Sequence, residues 1–368
     1  MDRQYWVGFN LVKGIGPARV RRLLDYFGSL EAGWKADSQE LFAAGLDRRS
    51  IENLLAVRRA GELETALRQL EQGGIQVLTW DDPEYPRNLR NIPLPPPVLY
   101  VKGALAPADE WAVALVGTRR ATPYGREAAR ELAGGLAASR VTVVSGLARG
   151  IDAAAHQAAL DAGGRTIAVL GSGLDQVYPP EHRGLAEAIA GSGAVVSDYP
   201  LGTKPEGANF PPRNRIISGL AKGVVIVEAG EMSGALITAD FAAEQGRDVF
   251  AVPGSMFQRA ARGTNKLIQQ GAKLVMSVGD VLEELNLALV TEQQAARTIL
   301  PADETEQRLL ACLSSDPTHI DELGAQVGMP ISQVSGALAL MELKGLVRQV
   351  GGMNYVTARE SRATYRVD

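Results

Sequence analysis

Between residues 111 and 285, seven short apolar runs alternate with segments of helical pattern, and this alternation constrains the fold more than any other feature. The runs are AVALVG, VTVVSG, TIAVLG, AVVSDY, VVIVEAG, VFAVPG and KLVMS. Near-continuous β-branched runs are typical of strands buried on both faces, and strands that alternate with helices form doubly wound, mostly parallel sheets. The sequence therefore predicts an α/β fold with a Rossmann-like core at 111–285. Most runs end in Gly, Ser or Asp, at the sheet edge where such folds bind ligands.

The segments on either side of this core have different patterns. Residues 1–75 read as short helices and predict a small helical domain, and residues 76–110 read as a proline-rich connector. Proline fixes φ and removes a backbone donor, so we expect this connector to be extended and to lie over a neighbouring domain. Residues 286–303 are predicted to be a linker. Residues 304–357 read as three helices and two short strands around Gly351 and Gly352, which predicts a winged-helix domain.

Composition limits the classes of function. The net charge is −4, so any nucleic-acid site must be a local basic patch. The single cysteine excludes a disulfide framework and favours a reducing compartment. We expect a cytoplasmic protein without a membrane segment, because no stretch approaches about 20 apolar residues and the N-terminus lacks a signal core.

No cofactor or metal is expected. The segment LGSGLDQVYPP lacks the third glycine of a dinucleotide fingerprint, and no Gly-Lys pair for a P-loop occurs. The three histidines are far apart and have no metal spacing. His156 is interpreted as a packed or capping residue, and Asp152 fits a helix N-terminus without a catalytic role. We predict no catalytic residue and no enzymatic activity.

Two strand–turn–helix junctions carry arginines beside glycines. The first supplies Gly117, Thr118, Arg119 and Arg120, and the second supplies Ser145, Gly146, Arg149 and Gly150. Turns at the same sheet edge that present Arg side chains and backbone N–H groups form a positively charged cleft suited to phosphates. The alternative is that these arginines are solvated surface residues.

A third segment, residues 202–223, carries four cations against one acid, Glu206. Its candidate site residues are Lys204, Asn209, Phe210, Arg213, Asn214 and Arg215. Cations along a groove with an aromatic among them suit single-stranded nucleic acid, although a loop Phe210 can also be a plug for local packing.

Three further features leave more than one interpretation open. Ser233 and Gly234 begin another helix after a strand and are candidates for anion binding. Glu228 precedes them as a possible catalytic carboxylate or, as we favour, a group that orients the neighbouring loop. The turn KGIGPARV resembles a helix-hairpin-helix turn, which serves either to contact phosphate or only to connect helices.

These motifs together resemble the DNA-processing protein A (DprA/Smf) family. The resemblance rests on ALVGTRRATPYG, VVSGLARGIDAAAH, AVLGSGLDQVYPPEH, FPPRNRIISGL, SGALITA, FAVPG, RGTNKLIQQGAK and the connector YPRNLRNIPLPPPVLYVKG. It implies a Rossmann-like core that binds and protects single-stranded DNA and loads the RecA recombinase onto it in natural transformation. It also implies N-terminal helices similar to a sterile-alpha-motif domain.

The resemblance further implies the placement of functional residues. Arg119 and the segment from Phe210 to Arg215 fall in the family's DNA-binding pocket. A homodimer is implied, with contacts on the helix from Thr264 to Gln270, where Leu267 and Ile268 supply apolar side chains.

Two other functions are alternatives. Nucleotide phosphoribohydrolases have a similar core but rely on a Pro-Gly-Gly-x-Gly-Thr-x-x-Glu loop, where this chain has EAGEMSGALITA. The other alternative is a regulator that binds duplex DNA through the winged helix.

Overall fold

The computed structural model of the chain describes residues 3–287, 304–313, 317–343 and 347–357. The chain divides into two compact units, residues 1–285 and 286–368. No helix in the described ranges has the length and apolar character needed to cross a membrane.

The first unit contains a nine-stranded sheet with the strand order β1-β2-β6-β5-β4-β3-β7-β8-β9. Its strands are β1 (Gln76–Thr79), β2 (Val98–Gly103), β3 (Ala112–Gly117), β4 (Thr142–Ser145), β5 (Thr166–Val169), β6 (Ala194–Ser197), β7 (Gly223–Glu228), β8 (Asp248–Ala251) and β9 (Lys273–Leu274). The seven strands β3 to β9 all pair in parallel with their neighbours among themselves. They coincide with the seven apolar runs of the sequence. The predicted doubly wound, mostly parallel sheet is therefore confirmed.

Helices cover both the sheet and its edges. They are α1 (Arg3–Leu11), α2 (Pro17–Phe27), α3 (Leu30–Lys35), α4 (Ser38–Ala43), α5 (Arg48–Ala60), α6 (Glu62–Gln72), α7 (Arg87–Arg90), α8 (Pro123–Ala138), α9 (Ile151–Asp161), α10 (Arg183–Ser192), α11 (Phe210–Leu220), α12 (Gly234–Glu244), α13 (Arg262–Gln269) and α14 (Val278–Glu284). Ile216 and Ile217 of α11 and Ala239 of α12 share one core with the buried residues of the strands, so these helices cover one face. This burial is the main source of stability for the layer.

The connector differs from its prediction. Residues 76–110 were expected to be extended over a neighbouring domain, but they supply β1 and β2, which pair antiparallel to each other and to β6. Val98, Leu99, Tyr100 and Val101 are fully or almost fully buried, which a covering loop could not achieve. A six-residue apolar strand directly after three prolines was hidden by its proline-rich surroundings.

The N-terminal helices pack in the same unit as the sheet. Trp6 and Phe9 of α1 and Leu54 of α5 share a core cluster with Tyr100 of β2 and Val195 of β6. The N-terminal helices therefore bury their apolar faces against the sheet at β2 and β6.

The second unit has a core of its own. It comprises α15 (Glu304–Cys312), β10 (Thr318–His319), α16 (Ile320–Val327), α17 (Ile331–Leu343), β11 (Val347–Gln349) and β12 (Asn354–Thr357). The three strands form an antiparallel sheet in the order β10-β12-β11. Three helices with a small sheet form a winged helix, as predicted. The predicted linker at 286–303 lies almost entirely outside the described residues.

The sheet topology creates a crevice beside β3. From β3 the chain runs through β4, β5 and β6 on one side, and it then returns to β7 on the other side. The connections after β3 and β7 therefore leave the sheet in opposite directions. Open α/β sheets bind ligands at the carboxyl ends of two such strands.

Candidate nucleic-acid interface

The loop after β3 is held by a carboxylate at the end of β7. Glu228 accepts hydrogen bonds from the Thr122 backbone N–H at 2.8 Å and from Thr122 Oγ1 at 2.6 Å. Thr122 in turn caps α8 by accepting from the Gly125 N–H at 3.1 Å. The side chain of Glu228 is thus used to orient this loop, as favoured from the sequence. The loop presents Arg119 and Arg120 as exposed side chains.

The loop after β4 is ordered by a second carboxylate. Asp152 Oδ2 accepts from the N–H groups of Gly146 at 3.1 Å and Ala148 at 3.3 Å. Burial raises the pKa of Asp152. Gly150 has a positive φ of 81°, and a Cβ there would overlap the Thr118 carbonyl oxygen. The two loops therefore touch, which only glycine permits at this position.

Arg213 is a buried cation in the wall between these loops and β5. Its Nη1 donates to the carbonyl oxygen of Gly146 at 2.8 Å and to that of Val169. Burial lowers the pKa of Arg213 to about 10, so its guanidinium stays charged at neutral pH. Arg213 holds the Gly146 turn in place and offers positive charge from below.

Two guanidinium groups lie close to the Phe210 ring. The Cζ atom of Arg119 lies 5.1 Å from the centre of the Phe210 ring, and that of Arg213 lies 5.8 Å from it. The Tyr178 ring is 5.8 Å away at an interplanar angle of 41°. The sequence interpretation placed Phe210 in a loop, but it begins α11, because Pro211 and Pro212 are tolerated in the first turn of a helix.

These groups line one cleft of about 660 Å³ at the crevice between β3 and β7. The predicted site residues that line it are Gly117, Thr118, Arg119, Arg120, Phe210, Arg213, Asn214, Ser233 and Gly234. Gly146 and Arg149 line a small adjoining cavity that shares Arg119 and Phe210 with the cleft. Four separate segments of the sequence, at 117–120, 146–149, 210–214 and 233–234, thus meet at a single site.

Five other predicted residues lie outside these two linings. The Ser145 hydroxyl is buried and donates to the Leu115 carbonyl at 2.6 Å. Arg215 pairs with Asp198 at 2.7 Å and donates to the Leu94 carbonyl at 2.5 Å. Gly150 joins the two loops, and Asn209 donates to the carbonyl of Lys204 at 3.3 Å. These contacts give Ser145 and Arg215 structural roles, because their polar groups are used inside the fold.

Arg149 does not duplicate Arg119. Its side chain is exposed and forms an ion pair with Glu181 at 2.5 Å. The positive charge of the second turn is thereby partly neutralised, so Arg119 and Arg120 carry most of the exposed charge at the cleft.

Sequence reasoning missed Tyr178, which lines the cleft and contacts Phe210. It belongs to the segment LGSGLDQVYPP, which was considered only as a dinucleotide loop. The sequence did contain a signal for Tyr178. It is an aromatic residue that comes shortly after the glycines at the end of a strand and directly before two prolines.

The remaining polar groups do not form a metal site within the described ranges, where no group of three or more His, Cys, Asp or Glu side chains is suitably placed. His156 is fully buried, and its Nδ1 lies 2.7 Å from Thr166 Oγ1. It is a packed residue beneath the cleft.

The predicted dimer residues lie on α13, beside the edge strand β9. Leu267 packs against the core of its own unit. Ile268 is half-buried, and Leu274 of β9 is exposed. Of the predicted pair, Ile268 is therefore the side chain more available to a partner.

The fold and the site define a class: a doubly wound α/β protein with a cationic, aromatic cleft at its topological switch point, joined to a winged-helix unit. Comparison with known proteins then assigns the family. A family model described as DNA recombination-mediator protein A matches residues 76–286, and one described as DprA winged helix domain matches residues 293–353. The chain belongs to the DprA/Smf family.

Relatives and solved structures agree with this assignment. The chain is 39% identical to Protein Smf of Synechocystis, over 96% of this chain and 98% of the relative. It is 41% identical to DNA processing protein DprA of Bacillus subtilis, over 68% of this chain and 88% of the relative. The crystal structure of DprA from Streptococcus pneumoniae matches with a TM-score of 0.68 and 36% identity, covering 76% of this chain and 97% of that one.

A further similar structure concerns the binding of single-stranded DNA. DNA processing protein A from Helicobacter pylori matches with a TM-score of 0.52 and 30% identity, covering 57% of this chain and 95% of that one. That protein is described as having a unique single-stranded DNA binding mode.

Proposed function

We propose that this chain binds single-stranded DNA in the cleft between β3 and β7. The observation that carries the proposal is the arrangement of Arg119, Phe210 and Tyr178 in one cleft. An aromatic face offers a stacking surface to any base, and a neighbouring guanidinium offers a contact to the phosphate that follows. On binding, a base packs on Phe210 and Arg119 turns toward the backbone.

The shape of the cleft favours a single strand over a duplex. Phe210 is half-buried within the cleft, so a base must leave its stack to reach the ring. The bases of a single strand are already accessible, whereas a duplex has to be unpaired at a cost of a few kcal/mol. The single-stranded DNA binding mode described for the Helicobacter pylori relative supports this choice.

The proposed DNA-contacting residues are those of the cleft and its rim. Phosphates contact the loop Gly117–Arg120, the turn at Gly146 to Gly150 and the start of α12 at Ser233 and Gly234. Lys204, Asn209 and Asn214 lie on the segment that leads to and begins α11, and they are proposed to contact the strand from that side.

The role that we propose beyond binding follows the family. It is to protect single-stranded DNA and to load the RecA recombinase onto it during DNA processing, acting as a cytoplasmic homodimer without an enzymatic step. The description of the matching family as a recombination mediator supports a role beside a recombinase. The alternative of a nucleotide phosphoribohydrolase predicts release of free base from nucleoside monophosphates, and we expect none.

The test is a titration of single-stranded and duplex oligonucleotides at several salt concentrations. The full-length chain should bind the single strand more tightly, with a salt slope of about −0.7 for each phosphate engaged. Arg119→Ala should lower both the affinity and the slope. Arg130→Ala, which removes an exposed arginine on the same α8 that follows the loop, is the matched control and should leave both unchanged.

Equal binding by wild type and Arg119→Ala would contradict the placement of the site. A preference for duplex DNA would contradict the proposed ligand.

A further inference from the structure

A second exposed surface adjoins the cleft on the side of β8. It is formed by the loops after β7 and β8, residues 229–233 and 253–258, together with Tyr124 at the start of α8. Its large side chains are unusually accessible: Met232 is 98% exposed and Phe257 is 86% exposed. Large exposed apolar side chains mark sites of contact with proteins, membranes or ligands.

The contacts within this surface make it a defined structure. Tyr124 Oη donates to the Pro253 carbonyl at 2.9 Å, which fixes its half-exposed ring against the loop after β8. Asn265 bridges Gly254 by donating to its carbonyl at 2.9 Å and accepting from its N–H at 3.1 Å. The Gly263 N–H donates to the Ala229 carbonyl at 2.8 Å, which joins the loop after β7 to the start of α13.

The surface is continuous with the cleft. Met232 immediately precedes Ser233 and Gly234, which line the cleft, and Tyr124 follows the loop that carries Arg120. A ligand that leaves the cleft over Ser233 therefore meets Met232 first and the loop of Phe257 next.

The charge and the side-chain types favour a nucleic acid over a protein as the occupant. The segments 229–233 and 253–262 contain Arg259 and Arg262 against the single acid Glu231. Both arginines are exposed, and they lie two and five residues after Phe257 in the chain. An exposed aromatic ring beside cations is the arrangement that suits a single strand, with bases on the ring and phosphates on the cations.

We propose that single-stranded DNA leaving the cleft continues across the ends of β7 and β8, with a base on Phe257 and a phosphate at Arg259. This extension rests on the proposed function of the cleft. It makes the binding site longer than the cleft itself, so affinity should depend on the length of the strand.

The test compares oligothymidylates of about six and about twenty nucleotides, since comparable single-strand sites span about 4–16 nucleotides. In the full-length chain, Phe257→Ala should weaken binding of the longer strand about fivefold or more and leave the shorter strand unaffected. Phe257→Trp should keep the affinity, because it keeps the stacking surface. Arg259→Ala should reduce the salt slope for the longer strand by about 0.7.

Two variants separate failure of the extension from failure of the cleft. Arg119→Ala should weaken both strands, and Phe42→Ala, which removes an exposed ring on α4, should weaken neither. If Arg119→Ala weakens both strands but Phe257→Ala weakens neither, the cleft stands and the extension is wrong. If Arg119→Ala has no effect on either strand, both proposals fail. If Phe257→Ala leaves binding of both DNA strands unchanged but weakens binding of this chain to another protein, the surface docks a protein. That result would overturn the extension.

Discussion

At the scale of single residues, the central feature is the division of work among the arginines of the cleft. Arg213 is buried and hydrogen-bonded to two carbonyl oxygens, whereas Arg119 is exposed and lies over an aromatic ring. The first therefore supports the shape of the site, and the second is available to a phosphate. The same residue type at one site thus serves two purposes, decided by its hydrogen-bond partners.

Phe210→Ala should lower the affinity for single-stranded DNA and leave the salt dependence unchanged. Stacking is worth about 1–3 kcal/mol per base, but it releases no counterions. Binding isotherms at several salt concentrations measure both quantities, with Phe210→Trp as the variant that retains a ring. A reduced salt slope in Phe210→Ala would mean that the loss acts through displaced cations.

His156→Gln should change how stability depends on pH. Burial, chiefly, lowers the pKa of His156 from 6.5 to about 3 in the folded state. The unfolded chain therefore takes up a proton that the folded chain does not. The stabilisation from neutral His156 is fully present above about pH 6.5 and is lost as the pH falls toward 3.

Urea unfolding of both proteins between about pH 5 and 7.5 measures this effect. The difference in unfolding free energy should change with pH by up to about 1.4 kcal/mol per unit below pH 6.5 and be constant above it. Parallel curves for the two proteins over the whole range would show that the histidine does not titrate on unfolding.

At the scale of elements, the proposed dimer contact lies on α13, beside the edge strand β9. Ile268→Glu should convert the proposed dimer to a monomer in sedimentation. It should also weaken DNA binding, because two linked clefts act at a high effective concentration. Leu94→Glu, at another exposed apolar position, is the control. A dimer that persists in Ile268→Glu would place the contact elsewhere.

The winged helix carries a negative charge, which disfavours binding to DNA. Residues 303–344 carry seven acids and two basic residues, and the third helix has no arginine. Non-specific DNA binding depends on cation–phosphate contacts, so this unit starts with repulsion. A fragment from residue 301 onward should not shift single-stranded or duplex DNA in a gel. Deletion of residues 301–368 should leave the affinity of the remaining chain for single-stranded DNA within a few-fold of the wild-type value. Strong binding by the fragment would contradict the charge argument and favour a duplex-binding regulator.

At the scale of the whole molecule, the parallel sheet was predictable because its strands are buried on both faces and read as unbroken apolar runs. The strand Val98–Gly103 was not predictable, because the prolines before it indicated an extended connector that lies over a neighbouring domain. The meeting of Arg119, Phe210 and Ser233 was predictable from the rule that carboxyl ends of parallel strands share an edge. The inward-directed contacts of Ser145 and Arg215 were not, because hydrogen-bond partners such as Leu115 and Asp198 are set by tertiary packing.

The proposed position of single-stranded DNA is the cleft at Phe210. The most direct measurement is photo-crosslinking of the full-length chain to an oligonucleotide that contains 5-iodouracil, with the modified residues identified by mass spectrometry. Adducts should form at Phe210 or Tyr178 and should be lost when unlabelled single-stranded DNA is added in excess. Adducts confined to residues 1–75 or 304–357 would contradict it.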